Sequence, residues 1–325
     1  MGLTYKVTAI CENISAAALG LNNFGEVVGS ANVAPNNLEG FHWHEGKTNK
    51  IAPLPGGEFC RPVGINNNGH VTGFCTIKKI SHGFLLQNGV MRDIGKLSND
   101  SNEQVEPKAI HDSGLIVGNN FVRGTRFSAF QWQKGTMVAL EDIPGGASIS
   151  QANSCNNNGY IVGSSRTKNP EVGHAVVWLN GKINYVLADA FSEATCVNDN
   201  NQILISGTHP NRGLLLENGK FTDVGTICKP SPFLFPSSIN NNGQIVGYCG
   251  STPSDNKAFI WDKKYGILEL DSLIHKNDPF HGQLKLEQAH AINDLGQIVA
   301  WTLYTSDTQI SMPFSYLLTP YDLPT

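Results

Sequence analysis

The chain is predicted to be all-β, a seven-bladed β-propeller of four-stranded antiparallel blades, and three observations predict it. One phrase recurs seven times: an apolar residue, Asn or His, a short Asn/Asp-rich turn, then an Ile/Val run. Four short strand patterns fill each interval between copies. A spare strand at the N-terminus matches a place left empty in the last repeat.

The copies are LNNFGEVVG from Leu21, INNNGHVTG from Ile65, IHDSGLIVG from Ile110, CNNNGYIVG from Cys155, VNDNNQILISG from Val197, INNNGQIVG from Ile239 and INDLGQIVA from Ile292. The residue after the apolar one is Asn22, Asn66, His111, Asn156, Asn198, Asn240 and Asn293, so the steps are 44, 45, 45, 42, 42 and 53. A period of roughly 40 to 50 residues marks a propeller or solenoid, in which one repeat is one supersecondary unit. The length of 325 residues would allow two domains, but no compositional break interrupts the repeats. Residues 1–325 are therefore expected to form a single β-propeller domain.

Within a repeat the first element is a strand with small residues at alternate positions, as in Arg61 to Asn66 or Gln288 to Asn293. The Asn-Gly turn that follows suits a tight hairpin, because Asn and Gly tolerate positive φ. The Ile/Val run is the second strand. The third reads Ala-Phe-x-Trp, as in Ala129 to Trp132 and Ala258 to Trp261, with Leu in place of Trp in Gly83 to Leu86, Gly213 to Leu216 and Ser315 to Leu318. The fourth follows a short Gly turn, as in Met91 to Ile94 and Phe221 to Val224. A four-stranded meander of this kind is a propeller blade. After the seventh Ile/Val strand one strand remains, Phe314 to Leu318, while Tyr5 to Ile10 precedes the first marker. Residues 5–10 are expected to complete the C-terminal blade, which removes the open sheet edge.

These phrases resemble the HAF-repeat family, bacterial proteins labelled extracellular repeat proteins, with units of the type IN-x-x-GQVVG, HAF-x-W and Met-x-Asp-Leu. Gly173 to Trp178 and Met137 to Gly146 lie close to that pattern. The resemblance spans essentially the whole chain and implies a repeat architecture, with no catalytic motif attached to it. The chain departs from the pattern at Asn201, at Ala300 and in the third strands of blades two, five and seven.

In a propeller the inner hairpin turn and the third-to-fourth turn share one face, and here those turns are uniform. Length variation falls on the opposite face, in loops such as Thr226 to Phe235, Ile274 to Glu287 and Trp301 to Phe314. Variable loops on a rigid scaffold are where binding concentrates, although tolerated insertion explains them equally. Cysteines support this loop map. Cys75 and Cys249 both follow a second strand, and only those blades carry a Cys in the preceding loop, Cys60 and Cys228. Disulfides Cys60 to Cys75 and Cys228 to Cys249 are expected, each stabilising by roughly 3 kcal/mol on the chain-entropy model. They would imply an oxidising compartment, hence an extracellular or secreted protein, whereas seven reduced thiols would not. Cys155 and Cys196 sit in inner strands and are expected to be buried.

Inner strands line the central channel. Two and four residues ahead of the apolar position they carry Arg61, Glu106 with Lys108, Gln151 with Asn153, Glu193 with Thr195, and Gln288 with His290. Glu106, Glu193, His290 and Arg61 could support acid/base chemistry if they converged; the simpler reading is a water-filled channel of satisfied polar groups. Aromatic residues expected on the variable face are Phe59, Phe121, Phe233, Phe235, Phe280, Trp301 and Tyr304. With Lys108, Gln151, Asn153 and Gln288, they are candidates for ligand binding.

Net charge is −4 and charged residues make up 15%, so no nucleic-acid footprint is present. No P-loop, dinucleotide fingerprint or nucleophile elbow occurs, and no cofactor is implied. His42 and His44 flank Trp43 at ligand-like spacing but lack a third ligand, so no metal is expected. No apolar stretch reaches the ~18 residues of a membrane-spanning helix, residues 1–5 show no signal-peptide core, and a monomer is expected. The function these features suggest is a non-enzymatic module binding a glycan or protein ligand. A polysaccharide hydrolase or lyase at the channel mouth and a secreted bacterial effector binding a host protein are the alternatives.

Overall fold

Each Ile/Val run is apolar at successive positions, which a strand tolerates only where both of its faces are buried. A computed structural model of the chain describes residues 3–12, 14–34, 37–122, 126–168, 172–186, 191–208, 212–228, 233–252, 255–302, 305–306, 309–310 and 313–321. It forms seven four-stranded antiparallel sheets, a seven-bladed β-propeller. Blades 1 to 7 have the inner strands Ala16–Leu21, Phe59–Ile65, Glu103–Ile110, Ser150–Cys155, Glu193–Val197, Leu234–Ile239 and Gln288–Ile292. The core is divided among the seams. Ile203 and Ile205 pack between blades 4 and 5, whereas Leu204 between them packs towards blade 6. Ile298 faces blade 6 and Val299 faces blade 1 in the same way. One apolar cluster fills each of the seven seams.

Tyr5–Ile10 closes the ring as the outer strand of blade 7, pairing antiparallel with Phe314–Pro320 from Tyr5 opposite Pro320 to Ile10 opposite Ser315. Tyr5, Val7 and Ile10 are buried. Between the second and third strands of blade 7 lies a small ribbon of Thr305–Ser306 with Gln309–Ile310. A 3₁₀ helix, Leu270–Leu273, precedes blade 7.

Every inner strand carries a β-bulge at the same place. The register slips at Leu19, Val63, Lys108, Asn153, Thr195, Ser237 and His290, each two residues ahead of the apolar position. A bulge bends the strand and re-aims its side chains. It also explains the Gly that follows the Ile/Val pair within the second strand: a Cβ at Gly163 would lie 1.9 Å from the Gln151 carbonyl oxygen, and at Gly73 2.1 Å from that of Arg61. Blades 5 and 7 keep the bulge with Ile205 and Ala300 at the facing position.

The marker residue does more than turn the chain. Its backbone is not in the left-handed region; that conformation belongs to the residue three later, Gly in six copies and Asn201, at φ 58°, in blade 5. The Asn240 Oδ1 accepts from the N–H groups of Asn242 and Gln244, while its Nδ2 donates to the Asn293 carbonyl of the next blade at 2.9 Å. Equivalent links run Asn22 to Asn66, Asn66 to His111, Asn156 to Asn198, Asn198 to Asn240 and Asn293 to Asn22. A second tier runs from each following backbone N–H to a side-chain oxygen one blade on, for example Asn67 to Asp112, Asn157 to Asp199 and Asp294 to Asn23. Among the described residues both tiers are open at one seam, between blades 3 and 4. His111 has no amide with which to accept and donate at once. Its Nδ1 accepts from the Ser113 N–H, and Nε2 lies 3.5 Å from Asp199.

Cys60 is bonded to Cys75, its direct cross-strand neighbour, and Cys228 to Cys249. Cys11, Cys155 and Cys196 are free. Burial pushes all three thiols up, so they are poor nucleophiles. His82 pairs with Asp93 across the third and fourth strands, where Arg212 pairs with Asp223 and Lys257 with Glu269 in other blades. Deletion of residues 1–12 is expected to abolish the cooperative melting transition, because it removes an entire strand and its buried side chains; an unchanged melting temperature would refute closure by this strand. Asn240→Ala is expected to cost about 2–4 kcal/mol of unfolding free energy, and His111→Asn to add about 1 kcal/mol by supplying the missing link, in denaturant titrations.

Candidate functional site

The bulge sets which side chains reach the channel mouth on the variable face. Four residues ahead of each apolar position, the inner strand faces a second-strand partner directly: Arg61 opposite Phe74, Glu106 opposite Asn119, Gln151 opposite Ser164, Glu193 opposite Ser206, Phe235 opposite Tyr248 and Gln288 opposite Trp301. Such opposed pairs have Cβ atoms ~5 Å apart and act as one surface. Bulged residues stand beside them and reach across the seams. Asn153 donates to the Glu193 carboxylate at 2.7 Å and to the Ala194 carbonyl at 3.0 Å. Thr195 donates to the Pro236 carbonyl at 3.0 Å.

The polar candidates share this mouth but form no joint constellation. Glu106 accepts from the Ser81 hydroxyl at 3.3 Å, on the seam between blades 2 and 3. Glu193 is held by Asn153 on the seam between blades 4 and 5. His290 meets Gln288 at 3.1 Å within blade 7. No described contact joins Glu106, Glu193, His290 and Arg61 to one another. Arg61 and Lys108 are exposed and enter no ion pair among the described residues.

The aromatic side chains do come together. Phe233 stacks on Phe235 with centroids 6.4 Å apart and planes 6° apart, and Phe235 stacks on Tyr248 at 5.0 Å. Tyr248 lies 6.5 Å from the His290 ring, which lies 3.6 Å from Trp301. Both ends of this ladder are held. The Trp301 Nε1 donates to the Ala18 carbonyl at 2.9 Å, so its polar edge is committed to blade 1. At the other end, the Phe233 carbonyl accepts from the Gly250 N–H at 3.3 Å, and Cys249, which follows Tyr248 directly, is bonded to Cys228. Phe233 and Phe235 remain 41% and 43% exposed. They border a cavity of about 470 Å3, with Phe191, Gln151, Arg166, Ser192 and Glu193 also in its lining.

Tyr248 was not singled out in the sequence, although it stands eight residues after Asn240 as Trp301 stands eight after Asn293; that shared position was the available signal. Phe191 and Arg166 were also missed. Phe121 stacks on Phe127 in blade 3, away from the ladder. Phe280 packs edge-on against Tyr316 by the outer strand of blade 7 and is partly buried rather than presented. Tyr304 lies outside the described residues. His42 meets Glu26 at 3.1 Å while His44 meets the Phe24 carbonyl, so the two rings serve separate contacts. Among the described residues no three His, Cys, Asp or Glu side chains are arranged to hold a metal ion.

Comparison with solved structures returns the fold. The propeller domain of the trilobed protease from Pyrococcus furiosus, which has an open velcro topology, is similar at a TM-score of 0.60 and 10% identity, over 97% of both chains. YCF48 bound to D1 peptide is similar at a TM-score of 0.52 and 8% identity, over 98% of this chain and 96% of that one. No family model and no curated protein sequence matches the chain. Identities this low carry the architecture alone.

Burial between Trp301 and Tyr248 pushes the His290 imidazole down to about 3, so the ring is neutral at neutral pH. The unfolded chain takes up this proton below its ordinary value of 6.5, whereas the folded ring resists until about 3. Stability is therefore full above that window and falls as pH drops through it. Between about pH 7 and 4, unfolding free energy is expected to fall less steeply in His290→Gln than in the parent protein. Equal slopes would mean the ring is hydrated.

Proposed function

We propose that this propeller is a non-enzymatic recognition module that binds a carbohydrate chain at the channel mouth of the variable face. The observation that carries the reading is the stacked platform of Phe233, Phe235 and Tyr248 beside a cavity lined by Gln151, Arg166 and Glu193. A pyranose ring has an apolar C–H face that an aromatic ring covers, and hydroxyls that need amide, carboxylate or guanidinium partners. Concave sites that combine these two surfaces are typical small-molecule sites. The disulfides fit an extracellular or secreted setting. The repeat phrases fit membership of the HAF-repeat group. A protein ligand, including a host protein met by a secreted effector, is the competing occupant of the same platform.

Purified protein on a broad glycan array, followed by mass spectrometry of the incubated glycans, tests the proposal. Retention of an uncleaved glycan is expected, with Phe235→Ala lowering affinity about tenfold or more, equivalent to about 1.4 kcal/mol. Glu106→Gln combined with Glu193→Gln is expected to leave the glycans uncleaved as before. Cleavage that this double variant abolishes would make the protein a polysaccharide hydrolase or lyase and overturn the reading. Failure to bind any glycan would also overturn it, in favour of a protein partner.

A further inference from the structure

The two sides of the mouth differ in kind. Successive blades turn by about 51°, a seventh of a circle, so blade 6 faces the seam between blades 2 and 3 across the axis. Blade 6 carries Phe235 and Tyr248. Blade 2 carries Arg61 at the strand position of Phe235, and blade 3 carries Lys108 at the bulge position of His290. Arg61 and Lys108 thus stand at the depth of the ladder on the opposite wall.

Lys50, Arg212, Lys257 and Lys263 each lie against a carboxylate. Arg61 and Lys108 do not. Like Lys47, Lys78 and Lys134, they are exposed and without an ion pair among the described residues; what differs is their place at the mouth. For Lys108 the carboxylate nearest in sequence is Glu106, two residues before it, whose side chain is turned to the Ser81 hydroxyl. Glu106 and Glu193 stand at the same mouth but are half-buried, so Arg61 and Lys108 are the more exposed of these inner-strand charges. An anion reaching them meets a guanidinium fork suited to a carboxylate or sulfate and a second positive charge one blade away.

We infer that the ligand is an anionic glycan, lying with a sugar face on the blade 6 ladder and an acidic group on Arg61 and Lys108. This rests on the recognition reading and adds to it the charge of the sugar. The stacking wall supplies affinity for any pyranose chain, and the cationic wall discriminates among them.

Calorimetric titration with three hexasaccharides, neutral cello-, carboxylated oligogalacturonate and sulfated heparin-derived, tests this in the intact protein. At least one anionic chain is expected to bind about tenfold or more tightly than the neutral one, with an affinity that falls as salt rises. The Arg61→Gln, Lys108→Gln double variant, both positions being exposed, is expected to lose that preference and retain the parent melting temperature. Phe235→Ala is expected to weaken every chain that binds. Carboxylated and sulfated probes together reveal which acid the mouth prefers, and preference for either supports the inference. Equal affinity for neutral and anionic chains, or a double variant that keeps the preference, overturns it while leaving glycan recognition intact. Absence of binding to all three and to the wider array removes both.

Discussion

The asparagine that opens six of the seven inner turns is the contact on which the ring depends. One carboxamide accepts two N–H groups of its own turn and donates to the carbonyl of the next blade, as Asn240 does towards Asn293. Few side chains can do both: Asp lacks the donor, Ser is too short to reach both sides, and His offers one nitrogen to each side with the wrong spacing. These amides are buried, so leaving one unmade would cost the full desolvation of the group as well as the bond. The turn is therefore fixed in length, with the left-handed residue three after the marker in all seven copies. A face locked in this way cannot vary, which leaves the opposite face as the place where blades differ.

The bulge transmits this constraint to the mouth. It lies between the asparagine and the variable face in every inner strand, and it lets the strand twist while its partner continues straight. The seams follow from the same geometry. Because both faces of every second strand are buried, each blade is sandwiched by two neighbours, and a blade cannot be lost without exposing two apolar clusters. Closure by Tyr5–Ile10 is thus a requirement of the packing, since blade 7 would otherwise leave Tyr5, Val7 and Ile10 without a home and Leu318 uncovered.

Blade number, strand order and closure were legible because they depend on spacing and on burial pattern, both of which repetition amplifies. The cysteine pairs were legible because two blades shared the same exception. The asparagine ring was not. Positive φ accounts for the turn Gly and Asn201, but the marker asparagines are held for an amide that bridges blades, and one sequence cannot distinguish an amide that turns the chain from one that also crosslinks it. The bulge was hidden for a similar reason: Lys108, Asn153 and His290 look like ordinary alternating strand positions until the partner register is known. Aromatic residues were the least legible. Phe280 occupies a variable loop as Phe233 does, yet it folds onto Tyr316, and Phe121 lies in a strand that runs on through the segment read as a loop, directly opposite Phe127.

The ladder differs from a scatter of surface aromatics in being held at both ends. Trp301 is fixed through its indole N–H to blade 1, and at the other end the Phe233 carbonyl accepts from the Gly250 N–H while Tyr248 adjoins the disulfide-bonded Cys249. His290 sits between them uncharged, so no imidazolium must be desolvated within the stack. A platform ordered before its ligand arrives spends little of the contact energy on ordering side chains. That matters most for ligands whose individual contacts are weak and numerous. On a ring whose tight face keeps one turn length in every blade, altering the residues at the bulge and four ahead of the apolar position changes such a platform without disturbing the asparagine links beneath it, so the chemistry of the mouth is free to differ from blade to blade while the scaffold is not.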